Sequence, residues 1–349
     1  MTKPINLLDY SAYGGCSAKL DPTKLAQLLS KLHKPSHPQL IVGANTHDDA
    51  GVFQISSEKA LIFTTDFFPP VVSDPKTFGR IAATNALSDV FAMGGKVLMA
   101  LNLVHYPAED APLEGLYQIL EGAQEKVEEC GGITVGGHTI QDKTPQFGLA
   151  VVGEVAPKQL LTNQGAQLGD LLVLTKPLGV GAILAGHRLG MASEQSYNSA
   201  VENMCRLNMY AAQHAQKHGV TAATDITGFG LLGHAWHIAQ ESNVRLQIHA
   251  NSLPLLPNFS SLIEQGCIPG AAFRNLKYVG ASFKNYASDD FSYIVADPQT
   301  SGGLLMCVPP QKALYLINDI HATGDTQACI IGEVIAENTA GIELCMADS

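Results

Sequence analysis

The sequence predicts an α+β protein (α/β type) built as two domains, and three observations predict it. The chain has 349 residues, and domains run to about 100–200 residues each. Apolar residues make up 46 % and charged residues only 15 %, ample for packed cores. Short aliphatic and β-branched runs alternate with helix-period segments along the chain, punctuated by glycine pairs.

Taken in order, residues 1–38 are rich in Gly, Ser, Pro and Lys and read as a flexible arm, with one short helical pattern at 25–32. Residues 39–157 read as a first domain. Its strands fall at 40–42, 52–55, 61–65 (ending at Asp66), 97–104, 133–135 and 147–155. Ser73-Asp74-Pro75 is a helix start with proline at the first helical position, and Gly94-Gly95 ends that helix. A second helix covers 112–130, stopped by Gly131-Gly132. Residues 158–349 read as the second domain. It opens with a strand at 171–175, continues with helices at 182–189, 194–217 and 229–241, and has further strands at 245–249 and 304–308.

The net charge is −11. Dispersed acidity argues against nucleic acid, which asks for a basic patch, and against a polybasic membrane anchor. No segment approaches the roughly 20 apolar residues of a membrane span, and the first residues lack a signal peptide's apolar stretch. The expected location is cytoplasmic. Seven widely spaced cysteines with no Cys-x-x-Cys leave neither a zinc ribbon nor a secreted disulfide framework.

The chemistry-bearing residues are aspartates and one loop. Asp48 and Asp49 sit in a glycine-bounded turn, Asp66 at a strand end, Asp89 on a helix one turn after Asn85, and Asp225 at a strand-to-helix turn. Carboxylates at element ends can converge at one rim of a sheet. Mg²⁺ takes hard oxygen ligands from carboxylates, waters and substrate phosphates. Turn formation or helix capping is also the ordinary role of each such aspartate, and composition does not bring them together. In Tyr13-Gly14-Gly15-Cys16-Ser17-Ala18-Lys19 the glycines permit close backbone approach, and the nearby cation favours the thiolate. Gly136-Gly137-His138-Thr139 reads as a turn at a strand end, able to offer phosphate its N–H groups or simply to reverse the chain. Residues 228–233 match GxGxxG formally, but the acidic residue about 20 positions on that a dinucleotide site needs is missing. No Walker A or protein-kinase signature is present.

Together the motifs resemble the selenophosphate synthetase family. The matching passages are Gly15-Cys16-Ser17-Ala18-Lys19, Asp48-Asp49-Ala50, Thr64-Thr65-Asp66-Phe67-Phe68, residues 78–95 (FGRIAATNALSDVFAMGG), Gly136-Gly137-His138, residues 174–179 (LTKPLG), residues 224–234 (TDITGFGLLGH) and residues 297–303 (DPQTSGG). The resemblance implies the two-domain aminoimidazole ribonucleotide synthetase-like fold, with N-terminal domains pairing in a homodimer. It implies conversion of ATP, selenide and water to selenophosphate, AMP and phosphate, with Mg²⁺ as cofactor and ATP as substrate. By position, Cys16 and Lys19 match the catalytic pair, and Lys19 also meets ATP. Asp49, Asp89 and Asp225 match metal ligands. Thr46, His47, Asp48, Asp66 and Asp89 match nucleotide contacts, and Gly137, His138 and Thr139 match a segment that reaches ATP from the partner subunit. A thiamine-phosphate kinase or a ring-closing amidine synthetase of the same superfamily would not need the Gly-Gly-Cys-x-x-Lys arm.

Overall fold

The computed structural model describes residues 5–11, 14–15, 28–33, 36–43 and 46–347. The first domain is a six-stranded sheet in the order β1-β2-β3-β6-β4-β5. Its strands are β1 (Leu40–Val42), β2 (Gly51–Gln54), β3 (Ala60–Phe68), β4 (Lys96–Tyr106), β5 (Ile133–Gln141) and β6 (Gln146–Val155). Helices α1 (Pro75–Ala92) and α2 (Leu113–Glu129) belong to this domain, α1 packing on β3 and β6. The second domain holds a seven-stranded sheet, β10-β13-β9-β12-β7-β11-β8. Its strands are β7 (Leu171–Leu174), β8 (Ala222–Asp225), β9 (Val244–His249), β10 (Phe283–Asn285), β11 (Leu304–Val308), β12 (Cys329–Glu337) and β13 (Gly341–Cys345). Its first helices are α3 (Val180–Arg188), α4 (Glu194–Cys205), α5 (Met209–His218) and α6 (Gly230–Ser242).

Helix α1 is the hinge of the architecture. Asp74 caps it by accepting from Thr77 N at 2.8 Å, and Pro75 supplies the preset φ of the first turn. It is buried almost all round because it lies on β3 and β6 and also meets α4 and β8 of the second domain. A helix covered on both sides needs no polar face. Its buried polar groups are instead spent across the domain boundary. Asn208 Nδ2 donates to Ser88 Oγ at 2.8 Å, and Ser301 N donates to Asn85 Oδ1 at 2.9 Å. Against α2 the spacing is closer than any side chain allows. A Cβ on Gly79 would stand 2.0 Å from Ile119 O, and one on Gly122 would stand 2.1 Å from Lys76 O.

The structure corrects four expectations. The stretch 194–217 is two helices, α4 and α5, and the break between them has a physical use. It exposes Arg206 O, which accepts from Lys176 Nζ at 2.5 Å, and turns Asn208 towards Ser88 and Gly302 O. Strand β3 does not stop before Asp66 but runs on to Phe68, paired with β6 throughout. Gly136 and Gly137 are not a turn: β5 continues through them to Gln141, with a register shift opposite Ala100 and Asn102 and a Gly136 φ of 139°. A Cβ on Gly137 would lie 2.4 Å from Asn102 O, so glycine there permits close strand pairing. Finally, residues 5–11 are no free arm, since Leu7 is fully buried and its N–H donates to Ser73 O at 3.0 Å. Of the 25–32 pattern, residues 25–27 lie outside the described residues, and Leu28 and Leu29 are helical.

Candidate active site

The two domains meet around a cleft of about 340 Å³. From the first domain come His47, Asp48 and Asp49, which precede β2; Thr64, Thr65 and Asp66 of β3; and Asp89 of α1. From the second come Asp225 at the end of β8, Thr227 and Phe229 in the following loop, and His234 and His237 on α6. Thr64 and Asp66 share a strand face because side chains alternate. Asn85 and Asp89 share a helix face because they are four residues apart.

Hydrogen bonds fix these carboxylates. Thr64 Oγ1 donates to Asp89 Oδ2, and Asn85 Nδ2 donates to Asp66 Oδ2 at 2.6 Å. Asn163 N donates to Asp48 Oδ1 at 2.7 Å, and its Nδ2 donates to His47 O at 2.6 Å. Thr224 Oγ1 lies 2.9 Å from Asp49 Oδ1. Asp49 is only partly covered as a residue, yet its Oδ2 is sealed from solvent and has no hydrogen-bond partner among the described residues.

The electrostatics follow from the crowding. Burial first, then the neighbouring Asp225 and Asp89 carboxylates, push the Asp49 carboxyl well above the usual carboxylate range; the Thr224 hydrogen bond opposes them. Among the described lining residues there is no lysine or arginine to neutralise this charge. The donor set is hard oxygen, converging, with one buried oxygen left over. That set fits Mg²⁺, which favours carboxylates, waters and phosphate oxygens over nitrogen or sulfur. Asp49, Asp225 and His234 each offer an atom within 4.8 Å of the others.

A ring cluster forms one wall of the cleft. His47 stacks on His237 with centroids 4.8 Å apart, and His47 Nδ1 meets Glu241 Oε1 at 2.9 Å. Burial, followed by the nearby His47, depresses the His237 pKa to about 3, and its Nε2 lies 3.1 Å from Tyr278 OH.

The cleft thus gathers His47, Asp48, Asp49, Asp66, Asp89 and Asp225 of the expected residues. Thr46 does not line it; its Oγ1 donates to Gly43 O at 3.3 Å within its own turn. Gly137, His138 and Thr139 lie on the exposed edge strand β5, away from this cleft. Cys16 and Lys19 lie outside the described residues. Gly15 just before them donates its N–H to Pro69 O at 3.0 Å, directly after β3. Sequence reasoning passed over Thr64, Thr224, His234 and His237 as site residues. The alternation of Thr64 with Asp66, and two histidines three apart at a helix start beside Asp225, were the available signals.

The comparisons agree with this architecture. Residues 47–155 match the family described as AIR synthase related protein, N-terminal domain, and residues 167–344 match its C-terminal domain. The chain is 53 % identical over 328 residues to a selenide, water dikinase of Porphyromonas gingivalis strain W83, covering 94 % of each chain. It is 43 % identical over 335 residues to a selenide, water dikinase of Caldanaerobacter subterraneus subsp. tengcongensis, covering 96 % of this chain and 97 % of the relative. A solved structure of AaThiL complexed with AMPPCP and TMP has the same fold, with a TM-score of 0.68 at 22 % identity over 93 % of each chain.

Proposed function

The chain belongs to the selenide, water dikinase family, and from that premise we propose that it makes selenophosphate, AMP and phosphate from ATP, selenide and water. The observation that carries the reading is 53 % identity over nearly the whole length, joined to a carboxylate-lined cleft with no lysine or arginine among its described lining residues.

In this reading Asp49, Asp89 and Asp225 hold Mg²⁺, which supplies charge neutralisation for the triphosphate when bound. Phosphoryl transfer depends mainly on positioning and on neutralising phosphate charge. Thr64 holds Asp89 in place and Asn85 holds Asp66, so both carboxylates are oriented before substrate arrives. Asp48 is anchored by Asn163, and His47 stands at the wall with His237, where the nucleotide would lie. Cys16 handles selenium and Lys19 neutralises developing phosphate charge. Gly15, bonded to Cys16, is hydrogen-bonded to Pro69, three residues beyond Asp66 along the chain.

A homodimer belongs to the same reading. The sheet face turned away from α1 carries exposed apolar residues in register. Phe63 pairs with Val152, Val152 with Met99, and Met99 with Ile133 across β3, β6, β4 and β5. Phe63 is 50 %, Met99 38 % and Ile133 59 % exposed. An apolar stripe spanning four strands marks a contact surface. Pairing there would bring Gly137, His138 and Thr139 of β5 towards the second subunit.

The test is selenide-dependent turnover under anaerobic conditions. AMP and orthophosphate appearing in equal amounts, and only with selenide present, is the expected result. ATP converted to ADP regardless of selenide would overturn it in favour of a related kinase. Cys16→Ser is expected to retain ATP binding and lose the selenide-dependent reaction.

A further inference from the structure

Beside the three carboxylates stand two residues with no role so far, Thr224 on β8 and His234 on α6. Both are buried, with exposures of 0 % and 5 %. Thr227 N and the Thr227 hydroxyl both lie 3.1 Å from His234 Nε2, and of the two the backbone N–H can only donate. That nitrogen must therefore present its lone pair, so the ring is neutral and its proton sits on Nδ1. Nδ1 faces Thr224 Oγ1 at 3.5 Å, and the same hydroxyl lies 2.9 Å from Asp49 Oδ1. A hydroxyl that accepts from the ring directs its own proton onwards. Of the two acceptors beside that hydroxyl, Asp49 Oδ1 at 2.9 Å is nearer than Asp225 O at 3.3 Å, so the order of donors is His234 Nδ1–H to Thr224, and Thr224 O–H to Asp49. Oδ1 of Asp49 is occupied, and the buried Oδ2 is left over.

We propose that His234 is a positioning residue that locks the Thr224 hydroxyl onto Asp49 Oδ1 and so presents Asp49 Oδ2 to the cation. His234 is within ligand distance of the site, yet it is not a ligand, because the backbone N–H of Thr227 already uses the Nε2 lone pair. The inference rests on the cation reading above for its purpose, though not for its geometry. Groups that orient a ligand from behind typically change metal affinity by about 10–100-fold when removed.

Two measurements test it. Nitrogen NMR of histidine-labelled, metal-free protein reports the tautomer directly. A neutral His234 with the proton on Nδ1 is expected; a proton on Nε2 or a charged ring would overturn the relay. Mn²⁺ binding followed by electron paramagnetic resonance then tests the consequence, with Mn²⁺ standing in as a hard-oxygen cation. Thr224→Val and His234→Leu should each weaken Mn²⁺ binding by about 10–100-fold. The double variant should lose little more than either single one, because both break one chain, and Thr224→Ser should restore the wild-type affinity. Additive losses, or unchanged binding in His234→Leu, would overturn the positioning role. Wild-type protein that shows the expected tautomer and binds no Mn²⁺ would overturn the cation reading, and with it the purpose assigned to the relay.

Discussion

Asp49→Asn keeps the shape of the side chain and removes its charge, so it separates stability from cation binding. Asp49 and Asp225 offer oxygens within 4.8 Å of each other. Two like charges at that distance repel by roughly 3 kcal/mol at an effective dielectric of about 20. Burial first, and then Asp225 and Asp89, raise the Asp49 pKa, which favours its protonated form and relieves part of this repulsion. A carboxyl with a raised folded-state pKa contributes stability that is present at low pH and is lost as pH rises through that pKa. Asparagine carries no such penalty. In a chelator at neutral and higher pH the variant should therefore be more stable than wild type, by about 1–2 kcal/mol after partial protonation is allowed for. That is about 2–4 °C in Tm for each kcal/mol. The gap should close as pH falls towards about 4, the ordinary carboxylate range. Saturating Mg²⁺ should reverse the order, because only wild type has the full anionic ligand set and gains the larger binding term. Thermal unfolding in chelator and in Mg²⁺ across this pH range reads all of it. A variant less stable than wild type in chelator, or stabilised equally by Mg²⁺, would refute the reasoning.

Other predictions follow from packing and burial. Gly79→Ala should cost about 1–3 kcal/mol in denaturant unfolding, because the added methyl meets the Ile119 carbonyl of α2 at 2.0 Å; an unchanged midpoint would mean the helices separate freely. His237 has its pKa lowered to about 3, below its unfolded value of about 6.5. The stability it contributes is thus present above the unfolded pKa and lost as pH falls through the folded one, with a slope of up to about 1.4 kcal/mol per pH unit, and His237→Leu should flatten that slope. Met99→Glu, in the exposed apolar stripe through which we propose that two copies pair, should give a monomer in sedimentation where wild type gives a dimer, with the fold intact; a wild-type monomer, or a variant that stays dimeric, would refute that contact.

Much of this architecture was legible in the sequence. Asp74-Pro75 and Gly94-Gly95 bracket α1 because capping, preset φ and glycine punctuation are local. The run 171–175 reads as a strand because it is short and apolar up to its last residue, Thr175. The errors arose where tertiary contacts overrode local signals. A helix pattern at 194–217 breaks at Arg206 because Lys176 and Asn208 need that backbone open, a demand made by residues far away in sequence. Gly136-Gly137 looks like a turn, and only the nearness of Asn102 on β4 shows why a strand needs glycine there. The convergence of Asp49, Asp66, Asp89 and Asp225 was invisible to spacing, since it depends on α1 clasping both domains. The roles of Thr224 and His234 were hidden more deeply, because they lie in the direction of hydrogen bonds rather than in residue type.

The central claim is that this cleft makes a phosphorus–selenium bond at the expense of ATP. Phosphorus NMR of the purified protein with ATP, Mg²⁺ and selenide under anaerobic conditions tests it most directly. A selenophosphate resonance rising together with AMP and orthophosphate, and absent with Asp49→Asn, is the predicted result. ATP consumed without a phosphorus–selenium resonance, or selenophosphate formed at the wild-type rate by Asp49→Asn, would contradict it.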